Sequence, residues 1–419
     1  MRSSLVVALF VALGLAARGP AAILADQDGP PVQGAAGCLQ DFPSAASPDP
    51  RATVMMCGLD NPRGLAFNGS ALFVAEAGRG GLDFPVADRI CFAGQAGGNR
   101  CFGANGAISR LWSGVQERVA SGFPSHAAGA GQNAIGPNDI AFIPGPDPRF
   151  GPRQRDDAPD CAGGCAYVAI GLQQPPAVRD LEFNGVRVFA DFAKLARMNA
   201  AGDWGYVADL GAYETANDPD QIFQDPPKID TNPYALFAER SGHSVLVIDA
   251  GANALLRVGA AADRSAVEGQ GMSTRAVFAP HPTSTDDAVP TSIATGPDGA
   301  LYVGELTRLP VIAGISNVYR LTPGASPSVC LGGFTQIMDL AFDAAGNLYV
   351  LQLTGALIRV TPEAGADRDL CARYANGVRS VAASGFASPT SVAVGPDGAL
   401  YVSNRGTAAR VGQVIRIRQ

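Results

Sequence analysis

The 419-residue sequence predicts an all-β fold, a six-bladed β-propeller whose ring is closed by the N-terminal strand. Three observations carry this reading. One hairpin unit recurs six times, two further strand-like runs follow most of its copies, and the chain stops one strand short while a matching strand precedes the first hairpin.

The hairpin is clearest at Val289–Glu305 (VPTSIATGPDGALYVGE) and Ser388–Asn404 (SPTSVAVGPDGALYVSN). Each reads as an apolar strand, a Pro-Asp-Gly turn, a Leu-Tyr-Val strand and a polar residue. Pro presets φ for the turn, Asp bonds its own backbone, and Gly accepts the left-handed conformation that Gly299, Gly346 and Gly398 would need. Asn61–Glu76 and Gln336–Gln352 keep the pattern with altered turns. Two copies are degenerate: Pro137–Phe142 is separated from Ala166–Ile170 by a long insertion, and Pro233–Phe237 leads through Glu239–Ser244 to Val245–Asp249.

Third strands are expected at Ala107–Leu111, Ala254–Val258, Asn317–Leu321, Ala356–Val360 and Gln413–Ile417, usually with Arg second from the end. Fourth strands are expected at Arg118–Phe123, Thr274–Phe278, Val329–Phe334 and Val381–Phe386. The last unit ends at Gln419 after its third strand, and Ala52–Leu59 (ATVMMCGL) supplies the fourth. Such closure removes the open edges of a linear row of blades. The propeller then occupies residues 52–419, about 61 per blade, above the usual ~40–50, so the excess sits in insertions.

The ends and the composition bound the setting. Residues 1–25, with one Arg and the apolar run Leu5–Ala16, read as a secretory signal, too short to span a bilayer. Residues 26–51 read as a loose leader, and no integral membrane segment is expected after signal cleavage. A balance of 31 basic and 38 acidic residues without a basic stripe argues against nucleic acid as a partner. Eight cysteines in an exported chain favour disulfides. Cys91–Cys101 and Cys161–Cys165 close local loops and are the first pairs expected; Cys38–Cys57 and Cys330–Cys371 follow by elimination. A secreted or extracytoplasmic monomer is expected.

Propeller topology sorts the loops by face. Fourth-to-first and second-to-third links share one rim, here called the top. Residues opening first strands there include Asn61, Arg63, Asn138, Asp139, Asn232, Thr291, Asp339 and Thr390; Glu76, Asp249, Glu305, Gln352 and Asn404 close second strands. Glu76, Asn138, Asp139, Asn232 and Asp339 are oxygen donors suited to Ca²⁺ or another divalent cation. His126 and His281 fall on the same rim and are the candidate general bases, while His243 falls on the opposite rim. Ala77–Asn105, Gly171–Gly185 and Gly211–Thr231 are insertions placed to roof the top; the last carries Asp218, Asp220, Asp225 and Asp230. Phe142–Cys165 decorates the bottom. No GxSxG, HExxH, Walker or dinucleotide fingerprint is present.

Leu59–Gly81 (LDNPRGLAFNGSALFVAEAGRGG), Ile229–Leu236 (IDTNPYAL), Ile248–Val258 (IDAGANALLRV) and Pro290–Gly304 (PTSIATGPDGALYVG) resemble the exported ScyD/ScyE family, associated with biosynthesis of the pigment scytonemin. The resemblance runs from about residue 52 onward. It implies an extracytoplasmic six-bladed propeller and carries over no catalytic residue set. Single repeats are similar to NHL repeats, and the architecture to gluconolactonase-like and streptogramin-lyase-like propellers.

The leading expectation is an exported propeller that binds a small molecule, glycan or protein partner through its top funnel, linked to secondary-metabolite or pigment biosynthesis. The alternative is a metal-dependent hydrolase or lactonase, or a lyase, of the six-bladed type. There a Ca²⁺-like ion on Glu76, Asn138, Asp139 and Asn232 would polarise a carbonyl while His126 or His281 moves protons.

Overall fold

The computed structural model describes residues 38, 51–94, 97–143, 165–223, 228–239, 244–259, 271–281, 287–307, 311–365 and 369–419. The expected signal and the leader, apart from Cys38 and Arg51, lie outside these residues, as do Cys161, Asp225 and His243.

Six antiparallel sheets form the six blades, numbered here from the first hairpin. In each blade the strand after the entry link is innermost, and the chain then steps outward. The sixth blade runs inside to outside through Ser391–Val394, Leu400–Asn404, Gly412–Ile417 and Ala52–Leu59. The N-terminal strand thus closes the ring, with Ala52 opposite Ile417 and Leu59 opposite Gly412. Met56 and Leu59 are essentially inaccessible, so the closing strand contributes core as well as backbone pairing.

The core is divided among the blade interfaces. Six apolar clusters each join two neighbouring blades, for example Tyr302, Val318, Leu340 and Val350 between the fourth and fifth, and Met56, Leu72, Val74 and Tyr401 between the sixth and first. Two-sided packing explains why the hairpin strands are apolar on both faces rather than alternating.

The repeated residues have local roles at the bottom rim. Gly299 and Gly398 take φ of 77° and 74°, closing the Pro-Asp-Gly turns. The Tyr302 and Tyr401 hydroxyls donate to Asp298 and Asp397 of those turns. The penultimate third-strand arginines, Arg320 and Arg416, donate to the same carboxylates at 2.8 Å. Arg, Asp and Tyr therefore recur together because one turn needs all three.

The second blade departs from the sequence reading. Its outer strands, Lys194–Met198 and Trp204–Asp209, were not among those expected. The first blade is also longer: Asn99–Trp112 and Val115–Ala127 pair well past the blade body, and Cys91–Ala93 adds to that extension. Two α-helices, Leu210–Asn217 and Leu370–Ala375, lie outside the sheets. Cys38–Cys57, Cys91–Cys101 and Cys330–Cys371 are bonded as expected. Cys165 is also disulfide-bonded.

Candidate functional site

Aligning the six innermost strands places Arg63, Asn138, Tyr234, Thr291, Met338 and Thr390 in one column and Gly64, Asp139, Ala235, Ser292, Asp339 and Ser391 in the next. Most of the polar members of both columns bond to the following blade. Asn138 Nδ2 donates to the Pro233 carbonyl, Thr291 Oγ1 to Ile337 O and Thr390 Oγ1 to Pro62 O. Asp139 accepts from Leu236 N at 2.7 Å, Asp339 from Val392 N and Ser391 Oγ at 2.8 and 2.6 Å, and Ser391 Oγ from Leu65 N. These bonds form an inter-blade girdle. Burial holds the Asp139 carboxyl well above its usual range and pushes Asp339 up to about 6.

Gly64 stands where the girdle has no room. A Cβ there would lie 1.8 Å from Asp139 Oδ1.

The residues that close second strands act as clamps on the entry links. Glu76 Oε2 accepts from Asp60 N at 2.6 Å, Gln352 Oε1 from Thr335 N, and Asn404 Oδ1 from Ala387 N. The bonded amide lies two residues before the first strand at Asp60 and Thr335 and four before it at Ala387. The residue after the bonded amide, Asn61, Gln336 or Ser388, has φ of 45–50°, a left-handed kink that the clamp supports. Asp249 plays a similar part, taking Asn232 N, Gly251 N, Ala252 N and Thr231 Oγ1. Glu305 departs by binding Asn317 N, Asn317 Nδ2 and Tyr319 Oη.

The five oxygen-donor candidates therefore fall into separate environments. Glu76 is completely buried in a network in which Ser109 Oγ and the Arg118 guanidinium occupy its oxygens, and Arg118 and Arg79 also pair with Asp60. Burial, reinforced by the charge of Glu76, pushes Asp60 up to about 6. Asn138 and Asn232 do meet, with Asn138 Nδ2 donating to Asn232 Oδ1 at 3.3 Å, and Asn138 Oδ1 is buried without a partner. Asp139 and Asp339 belong to the girdle.

The two histidines are apart from these. His281 is half-buried in the link leaving the third blade. His126 is fully buried on the first-blade extension, packed against Phe92 and Phe192. Its Nδ1 accepts from Arg100 Nε at 3.1 Å, which leaves the proton on Nε2, 2.9 Å from Leu172 O. Burial first, and then Arg100, lower its pKa to about 3. The imidazole is a neutral bracket for an arginine.

What Arg100 is held towards was not foreseen from the sequence. Its Nη2 donates to the carbonyls of Asn133, at 2.5 Å, and His126. Burial and then the positive charge of Arg63 push its pKa down to about 10. Arg63, 7% exposed, donates to Ala134 O at 2.6 Å and hydrogen-bonds the Tyr234 hydroxyl. Its Nε is buried with no partner. Among the described residues, no carboxylate pairs with either guanidinium. Tyr234, from the third blade, reaches Arg63 of the first and lies within electrostatic range of Asp139 and Asp339 of the second and fifth, which places it on the axis. Tyr234 and Arg63 thus join the third blade to the first.

The first-blade and second-blade insertions pack on one another. Phe92 and Phe102 of the first-blade insertion pack on Phe189, at 4.9 and 5.8 Å, and Phe102 also meets Phe192. They fix the extension that carries Arg100 and His126. A second cluster of chemistry-bearing residues, Glu214, Asp218 and Asp220, lies in the third insertion with carboxylate oxygens within 4.8 Å of one another.

Comparison with known proteins adds little chemistry. No family model matches, and no curated protein matches. Solved structures similar to this chain include a streptogramin B lyase (13% identity, 87% of this chain and 96% of that one, TM-score 0.39). Others are the PQQ-bound aldose sugar dehydrogenase from Streptomyces coelicolor (11%, 88% and 98%, TM-score 0.46) and a luciferin-regenerating enzyme (12%, 87% and 93%, TM-score 0.44). At these identities nothing about activity transfers, and the fold rests on this chain's own strand pairing.

Proposed function

We propose that this protein is an exported binding propeller whose top funnel takes a small anionic molecule, such as a carboxylate or an oxyanion, on Arg63 and Arg100. The observation that carries this reading is the pair of guanidiniums, close enough to repel and, among the described residues, without a carboxylate partner. A buried cation without a counter-charge is expensive, and a ligand anion would supply the missing charge with bidentate geometry. Tyr234 would add a hydroxyl, and His126 keeps Arg100 in place.

Export is supported by the disulfides and by the apolar N-terminal run. Among the described residues no helix is long and apolar enough to cross a membrane. We place the protein as a monomer associated with secondary-metabolite or pigment biosynthesis, on the ScyD/ScyE resemblance of its AEAGRGG and IDTNPYAL segments. The metal-dependent hydrolase reading is less well supported, because the oxygens of Glu76, Asp139 and Asp339 already accept hydrogen bonds from their own surroundings.

The test is calorimetric titration of the purified secreted protein with acetate, gluconate, sulfate and phosphate at low ionic strength. At least one should bind at one per chain, at least tenfold more weakly to Arg63→Met and to Arg100→Met, both first checked for wild-type circular dichroism. No binding by any probe at 10 mM, or equal binding by a folded Arg100→Met variant, would sink the proposal.

A further inference from the structure

The helix Leu210–Asn217 grows out of the last strand of the second blade, with Asp209 as its N-cap, accepting from Ala212 N at 2.8 Å. Its C-cap, Asp218, is left-handed at φ 40°, and the turn that follows brings Asp220 back towards the helix. Glu214 faces these two aspartates from the helix. Three carboxylates therefore offer oxygens within 4.8 Å of one another.

Acidic residues often gather on a solvated loop without consequence, but Glu214 is not solvated. Its exposure is 0%, and among the described residues neither carboxylate oxygen has a hydrogen-bond partner. Asp218 Oδ1 is likewise buried and unpartnered. Leaving a buried carboxylate with no donor costs several kcal/mol, on the order expected for an unpaired buried ion. The nearby acids are otherwise accommodated: Asp249 accepts four hydrogen bonds, and Asp230 pairs with Lys228. Burial, followed by the charges of Asp249, Asp220 and Asp218, pushes the Glu214 carboxyl up to about 9. Glu214 and Asp218 thus bring three buried acceptor oxygens that no described donor reaches.

We infer that Glu214, Asp218 and Asp220 form a Ca²⁺ site that pins the second-blade helix to the top of the third blade. All the donors are hard oxygens, which favours Ca²⁺ over softer metals. With Ca²⁺–oxygen distances of about 2.3–2.6 Å, ligands on opposite sides of the ion stand about 4.6–5.2 Å apart, so the observed spacing accommodates one ion. Three carboxylates leave further positions for carbonyl oxygens and water, which Ca²⁺ tolerates more readily than Mg²⁺. The link to the third blade is already present: Asn253 Nδ2 donates to Asp220 Oδ2 at 2.7 Å, while Asn253 Oδ1 accepts from Val289 N at 2.8 Å. The site is independent of the arginine mouth, and either can fail alone.

The test uses the full secreted chain, stripped with a chelator and titrated with calcium chloride alone. One Ca²⁺ per chain should bind, and 1 mM Ca²⁺ should raise the thermal midpoint by several degrees, with Mg²⁺ at least tenfold weaker. Glu214→Gln keeps the shape of the side chain but cannot supply an anionic oxygen, so it should fold without calcium and bind Ca²⁺ at least tenfold more weakly; Asp218→Asn should behave likewise. Absence of calorimetric binding and of any midpoint shift at 1 mM Ca²⁺ would overturn the inference, as would undiminished affinity in a folded Glu214→Gln variant.

Discussion

Replacing Glu305 with Gln should flatten the pH dependence of stability by an amount that can be worked out in advance. Glu305 is completely buried at the end of the fourth blade's second strand and accepts from Asn317 N, Asn317 Nδ2 and Tyr319 Oη at 2.8, 2.6 and 2.8 Å. Burial dominates those bonds and pushes its pKa up from 4.5 to about 7. A raised carboxyl pKa means that the folded state holds the proton while the unfolded state releases it. Its contribution is therefore fully present below pH 4.5 and is lost as pH rises through about 7. Integrated from pH 5 to pH 8, the loss is about 2.5 kcal/mol. Gln keeps an acceptor for Asn317 and has no proton to lose. Urea unfolding at several pH values, with unchanged m, should thus show wild type losing about 2.5 kcal/mol more than Glu305→Gln over that range. Other buried acids contribute equally to both proteins and cancel. Parallel pH profiles would refute the assignment of Glu305 as a buried structural acid.

Two further outcomes follow from the girdle and the mouth. Gly64→Ala should destabilise the protein by about 1–3 kcal/mol, because its Cβ would displace Asp139 from the amide of Leu236; an unchanged unfolding midpoint would show that the girdle is slack. His126 should remain neutral, with flat ring chemical shifts from pH 9 down to about 5. Its lowered pKa makes its contribution to stability full above 6.5 and lost as pH falls towards 3, and a midpoint near 6.5 in the shifts would contradict the Arg100 contact.

The fold was legible because its turns are chemically demanding. Pro-Asp-Gly, the Tyr of Leu-Tyr-Val and the penultimate Arg form one interacting set at the bottom rim, so they recur together and mark each blade. Where the second blade is interrupted by insertions before Cys165 and after Ile170, spacing ceases to guide, although Arg197 in Lys194–Met198 still stands second from the strand end and could have revealed that strand. The closing strand was legible from the missing outer strand of the last blade.

The site was less legible for a different reason. Glu76, Glu305 and Asn404 vary between blades, and variation at a converging rim resembles function, yet Glu76 and Asn404 each satisfy a backbone amide of an entry link, and Glu305 one of the third strand. Arg63 and Tyr234 belong to a column whose other members are smaller or tie neighbouring blades together, and their contact across the axis appears only when the ring is closed. Arg100 sits in an insertion with no counterpart in the repeat. Asp218 and Asp220 stood out in an acidic stretch, whereas Glu214 did not, because a helix must form before it is buried beside them.

The most direct test of the anion-binding mouth is an anomalous-difference map from crystals soaked in iodide, a polarisable anion that reports where the protein offers unneutralised positive charge. The account predicts a peak within contact distance of the Arg63 and Arg100 guanidiniums that is lost in Arg63→Met. Iodide peaks scattered over the outer surface, with none at the two guanidiniums, would contradict it.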